Sequence, residues 1–146
     1  MYPRMILNVY GKTEQNQLIV DMPNIALDRR YRYQIGVHRV YFEIENSGRI
    51  QLLRGNNDLL MISSNLVDRS AINPQQSIVY FDFSKRDKLI QSFCSLSVIF
   101  QPLQMYELAN ASFSICLLNG QPVDVIFKQL FLQLEIKRSE NYGWFQ

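Results

Sequence analysis

The sequence is poor in the residues that chemistry most often uses: one histidine, two cysteines and six glycines among 146 residues. Each scarcity excludes something. A catalytic metal centre on a β scaffold needs two or three histidines converging with a carboxylate, and His38 alone cannot supply them. It would also have to be the base of any Ser-His-Asp or Cys-His site, and no Gly-x-Ser-x-Gly elbow is present. The glycines are scattered singly, so no phosphate-cradling loop exists. Cys94 and Cys116 do not make a disulfide framework. Both are read as reduced, Cys94 as a small core residue and Cys116 on the strand face opposite Phe113 and Ile115.

Charge is scarce as well, at 19% against the usual quarter, and the formal net charge is +2. Low charge suits a subunit that buries much of its surface. A balance so close to neutral is not that of a general nucleic-acid binder, and the Arg29, Arg30, Arg32 cluster reads as a solvated or edge-guarding strand face. No apolar run approaches the roughly 18 residues of a membrane span, and the opening residues lack the apolar core of a signal peptide. The expected setting is therefore intracellular. Paired carboxylates such as Glu43 and Glu45, two apart, have glycosidase-like composition but read as solvated strand charges. The chain is expected not to be an enzyme and to need no cofactor or small-molecule substrate.

What the chain has in quantity is alternation. From Ser112 to Arg138, two runs surround a turn-rich connection: Phe113, Ile115 and Leu117 share one face, and Leu130, Leu132, Leu134 and Ile136 share another. Period two predicts strands. Asn119 and Gly120 suit the positive-φ positions of a tight reversal, and Pro122 pins its exit, which predicts a strand pair around this turn.

Upstream, Arg4 to Tyr10 reads as a strand ended by Gly11, returning as a short strand over Gln17 to Asp21 after a loop of about five residues. Pro23 stops it. Arg30 to Glu45 is the longest β signal, and its apolar set changes phase: Ile35 and Val37, then Val40, Phe42 and Ile44. A β-bulge near Gly36 to Arg39 accounts for the slip. Further strands are expected at Arg49 to Leu53, Leu59 to Ser64 and Ser77 to Phe83, then along Cys94, Leu96, Val98 and Phe100 facing inward until Pro102. A helical turn is expected at Leu66 to Ser70, and partial helix within Leu103 to Asn110. Ser84 to Gln91 reads as a charged loop. The sum is an all-β chain, a single jelly-roll (Greek-key) β-sandwich of about eight antiparallel strands over residues 1–138.

Residues 139–146 form a C-terminal aromatic tail outside any periodic pattern. Tyr142, Trp144 and Phe145 would be costly to leave in water, by roughly 1.5–3 kcal/mol for each large side chain that can be buried. They are expected to dock on this domain or to grip a neighbouring subunit, with Trp144 as anchor. Tyr31, Tyr33, Tyr41 and Tyr106 offer stacking surfaces for an alternative, a β-sandwich recognition module binding carbohydrate or peptide.

Four segments, Met61 to Asp68, Phe100-Gln-Pro-Leu103, Ser112 to Val125 and Leu130 to Arg138, follow one another in an order that resembles a known family. They are similar to the penton-like minor capsid proteins of Polinton or Maverick elements and adintoviruses, over residues 59 to 138. The carry-over is limited to Asn119, Gly120, Pro122 and Val123 at the turn. Leu118-Asn119 stands where the family often has an aspartate before the glycine, and the segment after Val123 lacks the glycine that often opens the last strand. The resemblance implies a structural virion protein: a jelly roll that forms a homo-oligomer, a pentamer at capsid vertices, beside a major capsid protein, with no enzymatic activity. It also admits a host-domesticated, capsid-derived copy. Its localisation would be the virion, assembled inside the host cell, or the cell interior for a domesticated copy.

Overall fold

The computed structural model describes residues 4–45, 59–82, 90–94, 97–117, 120 and 126–139. These residues build nine strands and one 3-10 turn. The strands are β1 (Arg4–Glu14), β2 (Gln17–Asp21), β3 (Tyr33–Ile44), β4 (Leu59–Ser64), β5 (Ser77–Asp82), β6 (Ile90–Cys94), β7 (Gln101–Pro102), β8 (Phe113–Leu117) and β9 (Phe127–Arg138). The 3-10 turn, Leu108–Asn110, is the only helical piece of the expected Leu103 to Asn110 segment.

The strands form two antiparallel sheets. The larger runs β2-β1-β9-β3-β6, with β7 also on β3, and the smaller runs β5-β4-β8. In the large sheet Leu7 and Val9, then Leu130, Leu132, Leu134 and Ile136, then Ile35, Val37, Val40, Phe42 and Ile44 turn to the core. The small sheet answers with Leu60, Ile62, Phe81, Phe113 and Ile115. Strand alternation puts every second side chain on one face, and removing both apolar faces from water holds the sheets together. Phe42, fully buried, joins them: its ring lies 5.5 Å from Phe81 across the core and 5.4 Å from Phe127 in its own sheet.

The bulge predicted in the long strand is present. The β3 register against β9 shifts between Val37 and Arg39, leaving His38 as the extra residue, and Val40 returns to the core. Gly36 sits just before it, where a Cβ would lie 2.5 Å from Val98 Cγ1.

Several expectations need correction. β1 continues through Gly11 to Glu14, and the hairpin closes in two residues, Gln15 and Asn16, with φ of 51° and 66°. Positive φ at both central positions is a type I′ turn, whose twist matches the strands it joins. Gly11 is there for a close approach, since a Cβ would meet the Ile19 carbonyl oxygen at 2.6 Å. β3 starts at Tyr33, leaving Arg29 to Arg32 in the lead-in. No helical turn forms at Leu66 to Ser70; Leu66 and Val67 are buried, and Val67 bridges Leu103.

The strand before Pro102 is two pieces. β6 begins at Ile90, within the expected loop, and Pro102 lies in β7 opposite Gln34. Cys94 is exposed, because the register sets it opposite Arg39 while Phe93, opposite Val40, turns inward. Val98 and Phe100 lie against Gly36, on the sheet face opposite Ile35 and Val37. Finally, β8 and β9 are not partners. β8 pairs with β4 in the small sheet, and β9 lies between β1 and β3 in the large one. The connection between them changes sheets. Arg49 to Leu53 lies outside the described residues.

Candidate functional site, a cleft where the two sheets meet edge to edge

β2 is the outermost strand of the large sheet and β8 the outermost strand of the small one. They run side by side, with Cα atoms within 8 Å of each other, yet share no ladder. Between them opens a cleft of about 550 Å³. Leu18 and Val20 from β2 and Phe113 and Ile115 from β8 are the inward residues of their strands and form its apolar walls, and Phe127 lies at its base. Thr13 Oγ1 accepts a 3.0 Å hydrogen bond from the Phe127 amide, which ties the start of β9 beneath the hairpin. Exposed Asn16, Gln17, Ile19, Ser112 and Ser114 surround the mouth. None of the lining residues is charged. Such a site takes apolar side chains and offers hydroxyl and amide groups at the rim; it has nothing with which to hold a phosphate or carboxylate by charge.

The outer face of the large sheet carries a row of aromatics. Tyr10 is opposite Phe131 on β9, and Phe131 is opposite Tyr41 on β3. The Tyr10 and Phe131 rings are 5.2 Å apart, and Tyr10 is 62% exposed. Next to this row Glu135, almost fully buried, is held from two sides. His38 Nε2 lies 2.6 Å from its Oε1, and Arg4 Nε 3.1 Å from its Oε2. The lone histidine thus pairs with one carboxylate.

The remaining tyrosines predicted as stacking surfaces form a knot instead of a platform. Tyr33 meets Tyr106 edge to face at 6.1 Å, and the Tyr106 hydroxyl donates to the Tyr31 carbonyl. Arg138 caps the Tyr31 ring at 4.2 Å, and Arg29 lies over Tyr106 at 5.3 Å. The basic cluster is partly neutralised in place. Arg30 grips Asp28 through a 2.7 Å contact, and Arg29 reaches Glu107 at 3.5 Å. The hydrogen bonds from the Arg30 side chain, then its amide, hold the Asp28 carboxyl down at about 2. Glu43 pairs loosely with Lys128 at 3.8 Å, and Glu45 lies beyond the end of β3, so the two do not act as a pair on one strand.

Tyr142, Trp144, Phe145, Asn119 and Pro122 lie outside the described residues. Gly120 has φ of +87°, as a turn glycine should, and packs so tightly on the Gln75 side chain that a Cβ would collide with it. The cleft escaped sequence reading because neither strand announces its neighbour, and the two meet only through packing. Among the described residues no three His, Cys, Asp or Glu side chains gather as metal ligands, and no helix is long and apolar enough to cross a membrane. Comparison with family models, curated proteins and solved structures finds no match for this chain.

Proposed function

We propose that this chain is a self-assembling structural subunit, a single jelly roll of the penton-like capsid type that closes into a pentameric ring at capsid vertices. The observation that carries the reading is the strand order. Counting β6 and β7 as two pieces of one strand along β3, the large sheet places the first, eighth, third and sixth strands side by side, and the small sheet the seventh, fourth and fifth. The second strand, although bonded to the first, lies along the seventh. This order supports the jelly-roll reading. Fold alone does not decide function. Assembly is supported further by apolar side chains left in water, among them Ile72 at 97%, Ile99 at 78% and Tyr10 at 62%, and by an uncharged cleft at the seam of the sheets. Light scattering on the full chain across a concentration range is expected to give about five times the single-chain mass, since a repeated interface that closes sets a defined number of copies. A single-chain mass at every concentration would overturn it.

A second reading has its own observation, the Tyr10, Phe131, Tyr41 row. A row of aromatics on a sheet face suits sugar rings or an extended peptide. A glycan array is the test: binding abolished by both Tyr10→Ala and Tyr41→Ala supports a recognition module, and the absence of any hit removes the carbohydrate form of it.

A further inference from the structure

We propose that the end of the large sheet where β1 begins and β9 finishes binds the sugar-phosphate backbone of a single-stranded nucleic acid, whatever its base sequence. Strand pairing assembles this end from distant parts of the chain. Arg4 on β1 lies opposite Lys137 on β9, and Arg138 lies opposite Tyr33 at the start of β3. The Ser139 amide donates to the Arg32 carbonyl, which brings the Arg29 to Arg32 lead-in to the same place. Six cations, Arg4, Arg29, Arg30, Arg32, Lys137 and Arg138, thus meet three carboxylates, Asp28, Glu107 and Glu135. The excess of three is larger than the +2 of the whole chain, and with Glu140, next in sequence after Ser139, it equals it. On the small-sheet side, Asp68 and Arg69 follow the bridge from Val67 to Leu103, and their adjacent charges offset each other. A near-neutral composition hides a polar distribution of charge.

How the cations are held matters as much as their number. Arg29, Arg30 and Arg4 are paired with carboxylates. Among the described residues, Arg32, Lys137 and Arg138 form no ion pair. Lys137 and Arg138 are fixed by rings instead: Lys137 Nζ lies 3.8 Å from the centre of Phe100, and the Arg138 guanidinium 4.2 Å from that of Tyr31. A ring face orients a cation without neutralising it, so the N–H groups stay available to an anion and little ordering is left to be done on binding. The same contacts exclude base stacking. Tyr31 is occupied by two guanidinium groups and Tyr106 by one, so the rings place the cations and are not open to bases.

The layout of the cations selects the ligand. They run across the strands, from β1 over β9 to the lead-in of β3, a path of at least about 10 Å. A peptide lying along that path follows no strand edge and gains no main-chain ladder. A flexible chain with one negative charge on every unit needs none, and five of the six cations are arginines, whose planar fork fits a phosphate through two hydrogen bonds. Contacts confined to phosphates position the ligand and carry no sequence information.

Fluorescence anisotropy of the full chain with a labelled oligothymidylate of about ten nucleotides, short enough to engage one copy, tests this. Binding is expected, with log K falling against log salt at a slope of about −2 to −3, the value for three or four phosphates on a single strand. Lys137→Gln with Arg138→Gln should make the slope shallower by about 1.4. Lys12→Gln with Lys128→Gln removes the same charge from exposed positions about 25–35 Å away along the strands and should leave the slope unchanged. If circular dichroism shows the first pair unfolded, Arg32→Gln, at an exposed position, is read alone and should take about 0.7 from the slope. Oligouridylate should bind as oligothymidylate does, and a preference of more than about tenfold for either overturns a backbone-only contact. Absence of binding at low salt overturns the proposal, as does equal weakening by the Lys12 and Lys128 pair. Displacement by oligoglutamate as effective as by unlabelled oligonucleotide overturns it in favour of an acidic peptide. The site is complete on a single chain, so these outcomes are independent of the solution mass that tests assembly.

Discussion

Phe42 shows how much of this molecule depends on single side chains. It is fully buried and touches the rings of Phe81, Phe93 and Phe127, so it meets both sheets and the strand at the large sheet's far edge. Phe42→Ala should cost about 3–5 kcal/mol in urea denaturation, because the rings around it belong to different strands and cannot all collapse into the void. Asp28 works by a different physics. Its depressed carboxyl pKa means that the folded chain holds the proton less tightly than the unfolded chain. The stabilisation is therefore complete above pH about 4 and fades as the pH falls toward 2. A carboxyl-carbon NMR titration should place Asp28 near 2, and in Arg30→Ala it should return toward 3.8. Glu135 was legible only as a polar position on β9. Its two partners come from β1 and β3, and only the pairing of strands distant in sequence brings His38 and Arg4 to it.

At the scale of elements, periodicity located most strands, and single residues misled about their ends. Gly11 reads as a stop because glycine is weak in strands, but here it is the point where β1 and β2 approach too closely for a side chain. Gly11→Ala should therefore destabilise by about 1–3 kcal/mol, more than loss of glycine flexibility explains, with the hairpin amides losing hydrogen-exchange protection first. The bulge at His38 was legible because a phase slip in an otherwise regular alternation has one economical cause. The position of Cys94 was not. An alternating run admits two phases, and the choice of Phe93 as the inward residue was made by the partner strand, through Val40.

Across the whole molecule, the first and last described strands lie together in the middle of the large sheet, and contacts distant in sequence dominate. Such a topology must close long loops before its pairings stabilise anything. Refolding after denaturant dilution should accordingly take milliseconds to seconds, and a microsecond phase carrying the full amplitude would contradict the fold. The alternation of apolar residues by itself determined that this chain is all β, and which residues of most strands face the core, because a period of two is a local property of the chain. Which strand lies beside which was decided only in three dimensions. β8 and β9, consecutive in sequence, part into different sheets, and each buries its apolar face against the other's sheet. The cleft follows from the same arrangement: β2 and β8 are separated by most of the chain, and only tertiary packing sets their edges side by side without a ladder.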